Sequence, residues 1–326
     1  MLTQTAKTAR RTAAAVVLSI AVGLASEPAL GQEHHSDTLR TEILEGREMI
    51  FSGRYDDALS KFGELVRRYP ASPAGDFYQA VTLIWKSIVD AKLDSGARTY
   101  DGDIEASLAA TIRKAEALRA REDKSEVDVN EALYYLGSAH AIRSRLALYQ
   151  NHAIPAARAA RTAQDSLDDL IKLKPDFYDA YFANGGIYYR VGLLTDSPIG
   201  RVASAVLGPK SLPAGDRERG IAYLKTAAER APLADVDAKF ALLEVLTLNE
   251  SRFDEALVYA RELQAKYPDN QMVARYLLRI YSGLKDKAKL RETAAQIIAR
   301  VKQGKPNFGT FMKTEAERFL ADAGKM

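Results

Sequence analysis

The chain has 326 residues, 47% of them hydrophobic and 27% charged, with 20 Gly and 11 Pro; this balance favours helix over strand and argues against long disordered stretches. It contains no cysteine, which excludes a disulfide framework, thiol catalysis and a thiol to carry a lipid. The formal charge of +3 falls to +1 without residues 1–31, which hold Lys7, Arg10, Arg11 and Glu27, so nothing predicts a nucleic-acid-binding surface.

Lys7, Arg10 and Arg11 precede an uncharged apolar run over residues 12–24, and small residues follow at Ala25, Ala29 and Gly31. This order predicts a secretory signal over residues 1–31, with cleavage after Ala25 or after Gly31. The run is 13 residues long, short of the roughly 20 that a membrane-spanning helix needs. The expected location is periplasmic or secreted, with no stable membrane insertion after cleavage. Residues 32–38 read as a flexible polar segment.

From residue 39 the pattern is helical, and the chain repeats itself. Residues 46–51 read as the first helix of a pair. Residues 53–72 are matched by residues 251–270: eight of the twenty positions are identical, among them Ala58/Ala256, Leu65/Leu263 and Pro70/Pro268, and Tyr/Phe, Asp/Glu and Arg/Lys exchanges add three more. Residues 133–142, 181–191 and 240–248 read as further first helices, and residues 219–232 as a weaker copy of the second-helix pattern. In each copy a small residue (Ala58, Gly220, Ala256) lets two helices approach closely. A proline (Pro70, Pro232, Pro268) then ends the helix, because it cannot donate to the hydrogen-bond ladder. Residues 309–322 read as a closing helix, given a polar side by Glu315, Glu317 and Arg318.

These residues resemble the tetratricopeptide repeat, whose pattern of aromatic, Leu-Gly, Tyr, Ala, Phe and Pro recurs about every 34 residues. Gly46, Gly53, Tyr55, Ala58, Phe62, Leu65 and Pro70 carry one unit, and Leu136-Gly137 supplies the hallmark pair of another. Tyr181, Gly185 and Tyr188 mark the next, and Phe240, Leu243, Phe253, Ala256, Leu263 and Pro268 form a clear further copy. The start Gly215-Asp216-Arg217-Glu218-Arg219-Gly220, after a long loop, is similar to that of bacterial exported repeat proteins, and residues 176–229 are distantly similar to tetratricopeptide repeat domain 39 proteins. The resemblance covers most of residues 39–302. It implies an all-α fold, an α-solenoid of about six antiparallel helix pairs over residues 39–308 with a capping helix and tail over 309–326. The two strongest copies lie 198 residues apart, about 60 more than four periods. The excess is expected at residues 90–103, 147–155 and 193–216.

Signals for catalysis are weak. His34 and His35 read as part of a flexible tail rather than a metal site, since no third ligand is near in sequence. His140 stands where the repeat places a packing Tyr and reads as a structural histidine; His152 carries no further signal. Asp165, Asp168 and Asp169 have the spacing of a solvated helix face, and zinc-helix, nucleophile-elbow and phosphate-loop motifs are missing from the sequence. The expectation is a protein that is not an enzyme and uses no cofactor or metal.

Carrying the family's groove-facing positions over implies a partner-binding concave face of Phe77, Val81, Ile84, Trp85, Tyr134, Ser138, Phe182, Tyr189 and Arg190. Its aromatic and Arg content suits a protein or peptide partner in the cell envelope, because such side chains give large contact area at low entropic cost. An alternative is a small ligand of a transport-associated protein, held between the array and residues 193–216. Those residues, with the apolar stretch 198–207, could instead fill the groove themselves, leaving Phe77, Trp85 and Phe182 in the core. Both possibilities stay open at this point.

Overall fold

Proline placement fixes where several helices stop. The computed structural model describes residues 29–89, 99–196 and 213–325, and among these it holds thirteen α-helices and no strand, so the chain is all-α. They are α1 (Ala29–Phe51), α2 (Tyr55–Arg68), α3 (Ala74–Val89), α4 (Asp101–Ala120), α5 (Glu126–Tyr149), α6 (Ala153–Leu173) and α7 (Tyr178–Asp196). After the segment that returns at residue 213 come α8 (Arg217–Arg230), α9 (Asp235–Glu244), α10 (Phe253–Lys266), α11 (Gln271–Gly283), α12 (Lys287–Lys302) and α13 (Thr310–Lys325). A π-helical turn, Val245–Asn249, extends α9. Pro70, Pro175, Pro232 and Pro268 each stand two residues beyond the end of α2, α6, α8 or α10, where the ring blocks continuation.

The starts are set by side chains that satisfy orphan amides. Ser125 and Asp128 form a reciprocal capping box at α5. Asp216 accepts from Arg219 N at 2.9 Å at α8, and Asn270 from Met272 N at 3.0 Å at α11.

The chain divides into two compact units, Met1–Glu42 and Ile43–Met326. The described part of the first is the opening of α1, which is helical through residues 32–38, the stretch read as flexible; there Thr41 Oγ1 donates to Asp37 O at 2.9 Å. In the second unit each helix from α2 onward packs on its neighbours in the chain. Every second helix also touches the next: α3 meets α5, α5 meets α7, α7 meets α9, and the π turn meets α11. Two layers result, with the alternate helices α3, α5, α7 and α9 on one side.

Close approach between layers depends on missing side chains. A Cβ at Gly220 of α8 would come within 2.6 Å of Tyr189 N and 2.8 Å of Gly185 O on α7. Glycine lets these two backbones touch.

The first third of the unit returns onto the last. Arg47 of α1 pairs with Asp237 of α9 at 2.7 Å, Asn270 Nδ2 donates to Phe51 O at 2.8 Å, and Tyr267 Oη donates to Glu48 at 2.9 Å. Farther on, Asn307 Nδ2 donates to Gly53 O at 3.0 Å. An open cleft of about 500 Å³ follows this seam, lined by Tyr55, Asp56 and Lys86 on one side and Lys305 to Gly309 on the other.

Candidate functional site

The inner layer is built from the faces of α3, α5, α7 and α9 that carry the aromatic stripe of the sequence. Its centre is closed. Phe51 of α1 lies edge-on to Trp85 with ring centres 5.5 Å apart, Trp85 meets Phe240 at 4.8 Å, and Phe51 stacks on Phe240 at 6.0 Å. A second group joins Phe77 to Tyr78 at 5.1 Å and to Tyr135 at 5.3 Å. Tyr134 meets Phe177 at 5.4 Å. Edge-to-face pairs of this kind contribute about 0.5–1.5 kcal/mol each beyond their buried area.

One ion pair is enclosed with the rings. The Arg47 guanidinium lies 5.2 Å from the Phe51 ring centre and 5.7 Å from that of Tyr78, while pairing with Asp237. Burial alone would lower its pKa, but the Asp237 carboxylate beside it carries the value above the ordinary one. Removing either partner would leave a buried charge uncompensated.

Of the nine residues that the repeat pattern assigns to a partner face, five are buried: Phe77, Trp85, Tyr134, Ser138 and Tyr189. Tyr189 instead donates to Glu250 at 2.6 Å, and Arg217 meets the same carboxylate at 2.6 Å. Burial would raise the Glu250 pKa, yet these two hydrogen bonds hold it below its usual value. Val81, Ile84 and Phe182 are half-buried, and Arg190 is exposed. Trp85 is covered by the return of Phe51 of α1 onto Phe240 of α9; Phe77 and Tyr134 pack on the neighbouring rings Tyr78, Tyr135 and Phe177, and Tyr189 lies against Gly220 of α8.

What stays open lies along α7. Phe182, Gly186 and Arg190 follow one another at one-turn spacing, so they share a face. A Cβ at Gly186 would meet only Arg190 Nη1, at 3.9 Å. Arg190 reaches Glu244 of α9 at 3.6 Å, and Arg145 of α5 reaches the other side of the same carboxylate at 3.7 Å. Arg145 Nε also donates to Tyr149 Oη at 3.1 Å. Two guanidiniums thus share one carboxylate across three helices, with donors in excess of acceptors.

The sequence pattern did not single out Arg145 or Glu244. Both lie in helices that carry several other charged residues, so nothing local marks them out. Asp168, read as solvated, is half-buried and accepts from Asn184 Nδ2 at 2.8 Å and Tyr188 Oη at 3.0 Å, clasping α6 to α7. Asn184 is itself fully enclosed. His140 is half-buried; desolvation and the nearby Arg143 push its pKa down, and its buried Nδ1 has no hydrogen-bond partner. His152 precedes α6 at its N-cap without a side-chain cap bond.

Among the described residues no cluster of three His, Asp or Glu side chains converges as metal ligands would, and no helix is long and apolar enough to cross a membrane. Residues 1–28 of the signal segment expected over residues 1–31, the side chains of His34 and His35, and residues 90–98 lie outside the described residues. So do residues 197–212, on which both the filled-groove alternative and the enclosed-ligand alternative depend. No protein-family model matches the chain, and a search of curated proteins finds no match.

Proposed function

We propose that the chain is an exported, non-catalytic scaffold of the tetratricopeptide type, an α-solenoid of about six helix pairs with α13 as its cap. In this reading it binds a protein or peptide partner in the cell envelope through the inner face of its first helices. The pairs are α1/α2, α3/α4, α5/α6, α7/α8, α9/α10 and α11/α12. Support for the solenoid comes from the contacts between alternate helices, and support for export from the charged, apolar and small-residue order of residues 1–31.

The observation that carries the binding reading is the uncovered strip on α7. Room beside Gly186 is flanked by a half-buried aromatic ring, Phe182, and by the exposed guanidinium of Arg190. Together with Val81 and Ile84 on α3 these are the parts of the expected face that a partner can still reach. Aromatic and Arg side chains at the edge of a rigid packed core are typical anchors of an interface.

A photoreactive phenylalanine analogue placed at Phe182 tests this in cells. Irradiation is expected to yield a discrete protein adduct that the same probe at Val258 does not yield; Val258 is 55% exposed on α10, a helix outside the inner layer. No adduct from residue 182, or the same adduct from both positions, would contradict the reading.

A further inference from the structure

The seam between the first and last thirds of the fold does not pack shut. Its walls are pinned at one point, where Asn307 Nδ2 donates to Gly53 O at 3.0 Å. Both residues stand in the left-handed backbone region, Gly53 at φ 76° and Asn307 at φ 67°, which glycine and asparagine tolerate best. A Cβ at Gly53 would come within 2.3 Å of Asn307 Nδ2, so the turn before α2 and the turn before α13 meet this closely because glycine is there. The cleft of about 500 Å³ beside this contact is thus shaped by the backbone of two turns. Its size is that of a small-molecule site.

Val89 and Phe308 line the cleft and are themselves buried, so they form an apolar floor. Tyr55 is only 7% exposed. Its hydroxyl makes no hydrogen bond among the described residues, yet the oxygen is not enclosed, so this donor opens on the cleft that the residue lines. The one carboxylate on the lining, Asp56, pairs with Lys86. Lys305 is left, exposed and without an ion pair among the described residues.

The wall that carries Lys305 is basic. Residues 293–314 hold Arg300, Lys302, Lys305 and Lys313 and no Asp or Glu. Arg300 and Lys313 reach Asp269 and Glu317 at 3.4 and 3.7 Å, and on the opposite wall Asp57 faces Arg54 at 3.7 Å. The surplus is therefore Lys302 and Lys305, of which only Lys305 lines the cleft. A cation entering here meets a carboxylate already engaged; an anion meets an ammonium and a hydroxyl, both donors.

We propose that this cleft binds a small organic anion, a carboxylate or phosphate monoester carried on an apolar ring or short chain. Lys305 and the Tyr55 hydroxyl hold the anionic oxygens through charge-assisted hydrogen bonds, and the apolar body lies on Val89 and Phe308. The lining comes from α2, α3 and two turns, none of them part of the α7 strip assigned to a protein partner, so each assignment stands on its own test.

Isothermal titration of the full chain with benzoate, phenyl phosphate and benzylammonium supplies that test. One site per chain is expected with at least one of the two anions and none with the cation, and the tighter anion tells carboxylate from phosphate. K305E is expected to weaken binding at least about tenfold by removing the charged donor, and Y55F, which removes only the hydroxyl, about threefold or more. K302E makes the same charge change on an exposed residue outside the lining, and should leave the affinity within about twofold because solvent and salt screen it. All three variants should keep the helical spectrum of the parent. Failure of both anions to bind overturns the proposal, as does a K305E chain that binds as tightly as the parent. Equal binding of benzylammonium, or a loss in K302E equal to that in K305E, would assign the effect to the apolar floor alone or to the general charge of the wall, and either also overturns it.

Discussion

Glu131, in α5, accepts a hydrogen bond from Ser72 Oγ at 3.0 Å, and burial pushes its pKa up, with Asp128 adding to the shift. A carboxyl group whose folded pKa is raised favours the fold when protonated. That contribution is complete below the ordinary glutamate range and is lost as pH rises through the raised value. At about pH 7 the ionised group therefore costs stability, and E131Q, which keeps an oxygen for Ser72, is expected to melt higher than the parent. On acidification to about pH 4 the difference should shrink, because the parent is then largely protonated as well. Melting curves at the two pH values check this, and a difference that is constant or reversed would contradict it. At the same scale, Trp85 and Phe77 show why some site residues were legible in sequence only in part. Periodicity says which face of a helix a ring occupies, and both rings are buried. It does not say what the face meets. Arg47 and Asp237, whose pairing closes the interior, are far apart in sequence, and no local pattern couples them.

Helix by helix, the sequence is informative where backbone chemistry is local. Pro70, Pro232 and Pro268 stop α2, α8 and α10 for a reason contained in the residue itself, and the closing helix read at residues 309–322 corresponds to α13. The π turn at residues 245–249 was not foreseen, because Val245, Leu246 and Leu248 keep the stretch apolar with or without one extra residue per turn. The turn leaves Leu248 exposed while Val245 and Leu246 stay buried. Glycine gives the test at this scale. Gly220 and Gly186 both stand in helices, yet only Gly220 is pressed against another backbone. G220A is expected to destabilise by about 1–3 kcal/mol through overpacking between α7 and α8. G186A, with open space beside it, should instead gain up to about 1 kcal/mol from helix propensity. Denaturant melts of the two variants separate these effects, and similar shifts of the same sign would mean that the two faces of α7 are wrongly assigned.

For the whole molecule, repeats that contact only their neighbours would behave as a chain of semi-independent units. Here α1 rests on α9 and α10, so the first and last thirds of the unit share one interior, and the inner face is closed at its middle. Comparing the sequence with itself reveals matching segments such as 53–72 and 251–270 but not how successive helices turn against one another. Those turns come from small rotations summed over many interfaces, and they decide whether aromatic residues such as Trp85 stand open or pack on one another. The claim that they pack rests on the only tryptophan, Trp85, enclosed between Phe51 and Phe240. Its fluorescence in the native chain is the direct measurement. Emission is expected at the blue end of the tryptophan range, with weak quenching by acrylamide, and F240A should shift it to the red and raise the quenching while the helical spectrum is kept. Native emission at the solvent-exposed limit, freely quenched and indifferent to F240A, would contradict a closed interior and restore an open groove.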